Sequence, residues 1–308
     1  MKIDVAPLQG FTEAAWRNAH EEVFGGIDTY YTPFVRLEKG EIRNKDRRDV
    51  APERNRVAHL VPQVIASCPE ELVTLIDFLA AQGYREIDLN MGCPFPLIVN
   101  RGKGSGLLPH PERVEALLEA LRAYPDVAFS VKMRLGWQEA DEWKRLLPLL
   151  NRSCVRKVTL HPRIGKQQYK GSVDLEAFAA FYEACELPLR YNGDLVLLED
   201  MERVAERFPR LDGLMVGRGL LANPSLAAAF REGAVWDTER LYAKVKDMHN
   251  RIFEVYERSI EGGEAQLLQK MKTLWEYLLP DLDKKRRKAI LKSARLEGYL
   301  QAVEAALS

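Results

Sequence analysis

The chain has little with which to build a metal or disulfide framework. Its 308 residues hold four cysteines and five histidines. Cys68, Cys93, Cys154 and Cys185 are far apart, with no C-x-x-C pair and no histidine cluster beside them. That pattern argues against a zinc site and against a secreted disulfide scaffold, and no metal is expected. There is no net charge either, since 45 Lys and Arg balance 45 Asp and Glu. No global field therefore attracts nucleic acid or an anionic membrane, and any such partner must be met by a local patch. No apolar run approaches the roughly 18 residues of a membrane span. The start, Met1-Lys2-Ile3-Asp4-Val5-Ala6-Pro7, lacks the apolar core and small-residue cleavage site of a secretory leader. The expectation is a cytoplasmic protein with no membrane partner.

What is present is alternation of β-rich runs with amphipathic stretches. Strands are expected near Ile3–Ala6, Ile27–Val35, His59–Ile65, Glu86–Met91, Val127–Met133, Arg156–His161, Leu187–Tyr191 and Gly213–Val216. Helical spacing follows most of them, at Glu13–Glu22, Glu70–Gln82, Pro111–Ala123, Ala140–Asn151, Leu175–Cys185 and Glu199–Phe208. Repeated β-then-α units imply parallel strands. Eight of them within about 235 residues predict an α/β fold, a closed (β/α)8 TIM barrel. A doubly wound open sheet is the alternative, but strand one lacks the glycine-rich turn of a dinucleotide fold. The polar segment Glu38–Arg56 reads as an extended surface loop on the barrel's active face.

After Trp236 no β-rich run appears. Apolar residues at helical spacing predict helices around Leu241–Tyr256, Leu267–Leu278 and Ile290–Leu300. The division is therefore residues 1–236 as barrel and 237–308 as a smaller all-helical domain. In the latter Lys270, Lys272, Lys284, Lys285, Arg286, Arg287, Lys288, Lys292 and Arg295 outweigh Glu276, Asp281 and Asp283. A solvated helix face and a contact to a phosphate backbone are both open readings of that run.

In a barrel, functional groups collect at the C-terminal ends of the strands, and polar residues stand there. Strand one ends in Pro7-Leu8-Gln9, strand three carries Gln63, and strand four ends in Asn90-Met91-Gly92-Cys93. Lys132 ends strand five, His161 strand six, Asn192-Gly193-Asp194 strand seven and Gly217-Arg218 strand eight. Taken singly, each has an ordinary explanation: a snorkelling lysine, a satisfied core histidine, a turn. Together they describe a mouth. The glycine loops of strands seven and eight, with Arg218, occupy the phosphate-cradle position of many barrels. Lys132, His161 and Gln63 suit the polar edge of a ring, so a flat phosphorylated heteroaromatic cofactor, FMN, is expected. Opposite stand Asn90 and Cys93, and a thiol facing a reduced flavin serves as a proton donor. Gly102-Lys103-Gly104-Ser105-Gly106 lacks the P-loop pattern and reads as a mobile segment beside the thiol.

The ordered motifs Ala6-Pro7-Leu8-Gln9-Gly10-Phe11-Thr12, Asp88-Leu89-Asn90-Met91-Gly92-Cys93-Pro94, Gly104-Ser105-Gly106-Leu107-Leu108 and Val131-Lys132-Met133-Arg134-Leu135-Gly136-Trp137 resemble those of the tRNA-dihydrouridine synthase family. The resemblance continues through His161-Pro162-Arg163 with Tyr169, Asn192-Gly193-Asp194 and Gly217-Arg218-Gly219, and more weakly through Lys270-Met271-Lys272, Trp275 and Tyr277. It implies an FMN enzyme that uses NADPH to reduce the C5=C6 bond of particular tRNA uridines, with hydride reaching C6 and Cys93 protonating C5. By the same resemblance Gln63, Lys132, His161, Asn192, Gly193, Asp194, Gly217 and Arg218 hold FMN, with Pro7, Leu8 and Gln9 against its ring. Asn90, Arg36 and Tyr169 lie near a flipped uridine, Lys270 and Lys272 near the tRNA backbone. A bacterial, monomeric enzyme acting on the D-loop region is expected. Three departures from the family pattern stand out: Pro162 in place of a glycine, Tyr191 in place of a small residue, and bulky Phe95-Pro96 after the Cys-Pro pair. A flavin barrel acting on a free pyrimidine, and a non-catalytic RNA-binding barrel, are the competing readings. The first has no need of the basic helical segment, and the second none of Cys93, Lys132, His161 and Arg218 together.

Overall fold

Side chains along a strand point alternately to its two faces, so closing a sheet sorts each strand into an inside and an outside set. In the computed structural model, which describes residues 1–308, eight parallel strands do this. They are β1 (Lys2–Val5), β2 (Thr29–Tyr31), β3, β4 (Glu86–Met91), β5 (Ala128–Gly136), β6 (Val155–Ile164), β7 (Leu189–Tyr191) and β8 (Gly213–Val216). β3 comes in two pieces, Leu60–Val61 and Gln63–Val64. The first pairs with β2 and the second with β4, so the two ends of the sheet are one strand and the barrel closes. Pro62 makes the break because it has no N–H, yet its carbonyl still accepts from the Asp88 N–H at 3.0 Å. The expected strand Ile27–Val35 is shortened by Pro33 to Thr29–Tyr31, with Val35 rejoining the sheet beside Val64.

The outward set is apolar. Ile3, Val5, Leu89, Val131, Leu160 and Leu214 join one continuous core with the surrounding helices, among them Pro69–Ala81, Pro111–Leu121 and Leu175–Ala184. The inward set is polar. Asp4, Gln63, Asp88, Ser130, Thr159 and Arg190 are buried inside the barrel, and the apolar residues there amount to a small cluster of Ala6, Tyr31, Val61 and Met215. Buried polar groups need partners, and most of these have them: Ser130 donates to Asp88, and Arg190 lies against both Asp4 and Asp212.

The expected helices are found within a few residues of their predicted bounds. The fourth, expected over Ala140–Asn151, begins late, at Trp143, because the Glu142 carboxylate accepts from the N–H groups of Trp137, Gln138 and Glu139 and holds Ala140 and Asp141 in the preceding loop. Glu38–Arg56 is not an extended loop. It forms a hairpin of Leu37–Glu38 with Glu41–Ile42, then a helix Asn44–Asp49. Arg17 fastens it by donating to Asp49 and to the Asn55 side chain at 2.6 Å, while Ile42 and Val50 enter the core. Several of its charges pair with the first helix and the loop before it, Asp49 with Arg17, Lys45 with Glu13 and Arg56 with Glu22, which composition alone does not reveal.

Beyond residue 237 the chain is helical: Thr238–Ser259, Gly263–Leu274, Lys284–Lys292 and Leu296–Ala306. The single stretch expected around Ile290–Leu300 is two helices, parted at Ser293–Arg295. Asp237 and Asp283 cap the first and third helices through backbone N–H bonds. Helix Thr238–Ser259 packs on helix Ala14–Val23. A buried Tyr299 hydroxyl joins the Trp275 indole N–H at 3.0 Å to His249 at 2.8 Å. No helix is long and apolar enough to cross a membrane.

Candidate active site

The strand ends open into a cavity of about 750 Å³, within the range of small-molecule and cofactor sites. Pro7, Leu8, Gln9, Arg36, Asn90, Cys93, Lys132, His161, Tyr169, Asn192, Gly193, Asp194, Gly217 and Arg218 all line it. So the motifs at the ends of β1, β4, β5, β6, β7 and β8 meet in one mouth, although they are spread from Pro7 to Arg218 in the sequence.

Cys93 is held by its own turn. The Asn90 Oδ1 accepts from the N–H of Gly92 (3.1 Å) and of Cys93 (2.9 Å), an Asx-type closure that Asn supplies readily. Asn90 Nδ2 donates to Gln63 Oε1 and Gln63 Nε2 to Asp88 Oδ2, both at 2.7 Å. Gln63 is wholly buried, with its amide bonded to Asn90 and Asp88 rather than open to the cavity. Arg134 donates from Nε to the Gly92 carbonyl at 3.0 Å and fixes the turn from the other side.

The glycine-rich segment is also not what its composition suggests. Lys103 to Leu107 are buried, and Ser105 donates both its N–H and its hydroxyl to the Cys93 carbonyl. Gly104 sits at φ +58°, where a Cβ would come within 2.6 Å of that carbonyl oxygen. Glycine is required here for close approach, and the segment is a packed floor under the thiol.

Burial pushes the Cys93 thiol up from its ordinary value, although the Phe95 N–H, Arg134, Lys132 and Arg36 favour the thiolate. The thiol is thus protonated at neutral pH, the form a proton donor needs. The wall built by β5 to β8 is cationic. Burial and neighbouring Arg134 lower Lys132 to about 8, and its ammonium donates to Asn192 Oδ1 at 2.7 Å. Burial among Arg134, Lys132, Arg163 and Arg218 drives His161 well down, so the imidazole is neutral. Arg163 approaches its Nε2 at 3.2 Å, which makes that nitrogen the acceptor and leaves the proton on Nδ1. Asp194 is the one carboxylate on the wall, and it receives Arg163 at 2.9 Å and Arg218 at 3.2 Å.

Tyr169 is held between two guanidinium groups, Arg218 at 4.4 Å and Arg134 at 5.4 Å from its ring centre. Arg134 and Arg163 are legible in the sequence as strand ends but not as the braces they are. Arg43 and Tyr277, also on the wall, carry no local signal, since one comes from the hairpin loop and the other from the helical segment. Lys270 and Lys272 are not brought here. Lys270 pairs with Glu13 at 2.7 Å, and Lys272 donates to the Ser293 carbonyl at 2.5 Å.

The family model described as dihydrouridine synthase (Dus) matches residues 4–298, nearly the whole chain. The chain belongs to the dihydrouridine synthase family. It is accordingly an oxidoreductase. A probable tRNA-dihydrouridine synthase of Staphylococcus aureus (strain N315) is 28% identical over 264 residues, covering 82% of this chain and 78% of the relative. Probable tRNA-dihydrouridine synthase 2 of Bacillus subtilis (strain 168) is 26% identical over 293 residues, covering 87% and 89%. Among solved structures, a morphinone reductase mutant in complex with tetrahydroNAD superposes with a TM-score of 0.53 at 10% identity, covering 76% of this chain and 87% of that one. At that identity the likeness speaks for the barrel alone. In this dihydrouridine synthase family member the family motifs and the cavity wall coincide.

Proposed function

We propose that this chain reduces the C5=C6 bond of particular uridines in tRNA to 5,6-dihydrouridine, with FMN in the barrel mouth and NADPH as reductant. The observation that carries the reading is that a protonated thiol just after β4 and the cationic strand ends of β5 to β8 line one cavity. The relatives named above are probable tRNA-dihydrouridine synthases, which supports tRNA as the carrier of the uridine.

The donor set suits FMN. Gly217 and Gly219 leave the β8 loop without side chains, and a Cβ on Gly219 would strike the Leu195 carbonyl. Arg218, Gly217 and the Asn192–Asp194 turn would hold the phosphate, Lys132 and neutral His161 the polar ring edge, and Pro7, Leu8 and Gln9 a ring face. Bound and reduced, FMN supplies a hydride to C6 of the uracil. Cys93 delivers its Sγ proton to C5, so that H⁻ and H⁺ together saturate one bond, and solvent returns the proton to sulfur. Asn90 and Arg134 keep the thiol aimed, and the Arg134 charge eases the thiolate left behind. Arg36 and Tyr169 flank the extruded uridine.

We take residues 1–236 as the catalytic barrel and 237–308 as the RNA-binding part. There the backbone contact passes from Lys270 and Lys272, whose ammonium groups are engaged, to exposed Lys284, Lys285, Lys288, Lys292 and Arg295, which make no ion pair. A cytoplasmic monomer working at the D-loop region completes the reading.

The test is direct. Purified protein loaded with FMN and given NADPH should form dihydrouridine in tRNA transcripts; no product on any tRNA, or equal turnover of free uridine, overturns it. Lys132 adds a pH signature. It is charged below about pH 8 and neutral above, so anion affinity is greatest below that value and is lost as pH rises through it. FMN titrations should show Kd rising about 10-fold from pH 7 to 9. Lys132→Met should start with the weaker affinity and stay flat across that range.

A further inference from the structure

Nine large apolar side chains are exposed on the whole surface, and five of them, Phe95, Leu97, Tyr169, Val196 and Leu197, stand in the loops after β4, β6 and β7. Scattered exposed apolar residues need no explanation, but a concentration at the mouth of one site does. Phe95 stands out because the residue is 57% exposed while its carbonyl is tied into the following turn. Its carbonyl accepts from the N–H groups of Ile98 (2.9 Å) and Val99 (3.0 Å). Pro94 and Pro96 on either side remove further freedom. Leu97, 66% exposed, is two residues on.

We propose that Phe95 is a stacking platform for a nucleobase next to the uridine that enters the cavity, and so a positioning residue for the RNA substrate. This rests on the uridine-reductase reading above. Three observations support it. First, a ring held out by a locked backbone loses little entropy when a partner covers it. Second, Phe95 lines the same cavity as Arg36, a cation in no ion pair, which can attract a phosphate backbone to this lip. Third, the other exposed aromatic ring of the mouth, Tyr169 in the loop after β6, already has guanidinium groups against it at 4.4 and 5.4 Å, whereas no aromatic or cationic partner covers Phe95. An aromatic face offered to any base is sequence-tolerant, so Phe95 supports the strand around the target without choosing its letters.

The experiment uses the full FMN-loaded chain and an unmodified tRNA transcript, reading both equilibrium RNA binding and the kinetics of dihydrouridine formation. Phe95→Ala should raise Kd and KM by about 10-fold or more, in line with base–aromatic stacking, with kcat changing far less. Phe95→Trp should restore both to within about 3-fold. Phe95→Leu, apolar but without a π-face, should not. Flavin content and thermal unfolding of each variant register any loss of fold. Wild-type-like KM in Phe95→Ala, or full rescue by Phe95→Leu, overturns the stacking role while leaving the reductase reading intact. Failure of the wild-type chain to make dihydrouridine removes both.

Discussion

Cys93→Ala is expected to bind FMN and tRNA and yet form dihydrouridine at least 100-fold more slowly than the wild-type chain. General acids contribute about 10²–10⁴ in rate, and the other ionisable groups of the mouth are committed elsewhere: the Lys132 ammonium donates to Asn192 at 2.7 Å. His161 is kept neutral, and Asp194 is paired with two arginines. The raised thiol pKa gives the sign of the pH dependence. The proton stays on sulfur until pH passes above the ordinary thiol value, so the donor is intact through the neutral range. The measurement is single-turnover reduction of tRNA by pre-reduced enzyme, with flavin absorbance confirming occupancy. A rate within 10-fold of wild type would assign the proton to another group, and Cys93 would revert to a turn residue.

The second large effect lies at the other end of the barrel. Arg190 is buried against Asp4, itself inaccessible, and reaches half-buried Asp212 at 3.0 Å. Arg190→Met would leave the Asp4 carboxylate inside the barrel without its counter-charge. Removing one partner of a buried pair costs about 3–5 kcal/mol. Urea denaturation should show a loss of that order, and a shift below about 1 kcal/mol would mean that Asp4 is protonated or hydrated in the folded chain. The double replacement Asp4→Leu with Arg190→Met should recover much of the loss, since the Asp212 carboxylate that remains is half-exposed and no fully buried charge is left unmatched.

The barrel and most of the mouth are legible in the sequence because both are written locally. Strand and helix periods are short, and the functional groups sit at strand ends, where eight parallel strands must bring them together. What is not legible depends on partners distant in sequence. Gln63 resembles a ring ligand because it ends a strand; only the parallel register that sets it beside Asp88 shows its amide committed to Asn90. Gly102–Gly106 suggests mobility because glycine-rich runs usually have it, but these glycines serve close packing on the Cys93 carbonyl. Lys270 has the look of a phosphate ligand until Glu13, 257 residues away, takes its charge. The domain limits at residues 236 and 237 remain a proposal, since one apolar core runs from the barrel into Val245, Met271 and Trp275.

The polar lining of the barrel also governs how this sequence can change. An apolar interior drifts by single exchanges of similar volume, but here donors and acceptors are matched across neighbouring strands: Ser130 to Asp88, Asp88 to Gln63, Gln63 to Asn90, Lys132 to Asn192. Altering one member strands its neighbour, so substitutions at these positions are tolerated in concert or not at all. Epistasis should therefore run around the barrel, strand to strand, and be weakest on the outward face, where Val, Leu and Ile can replace one another alone.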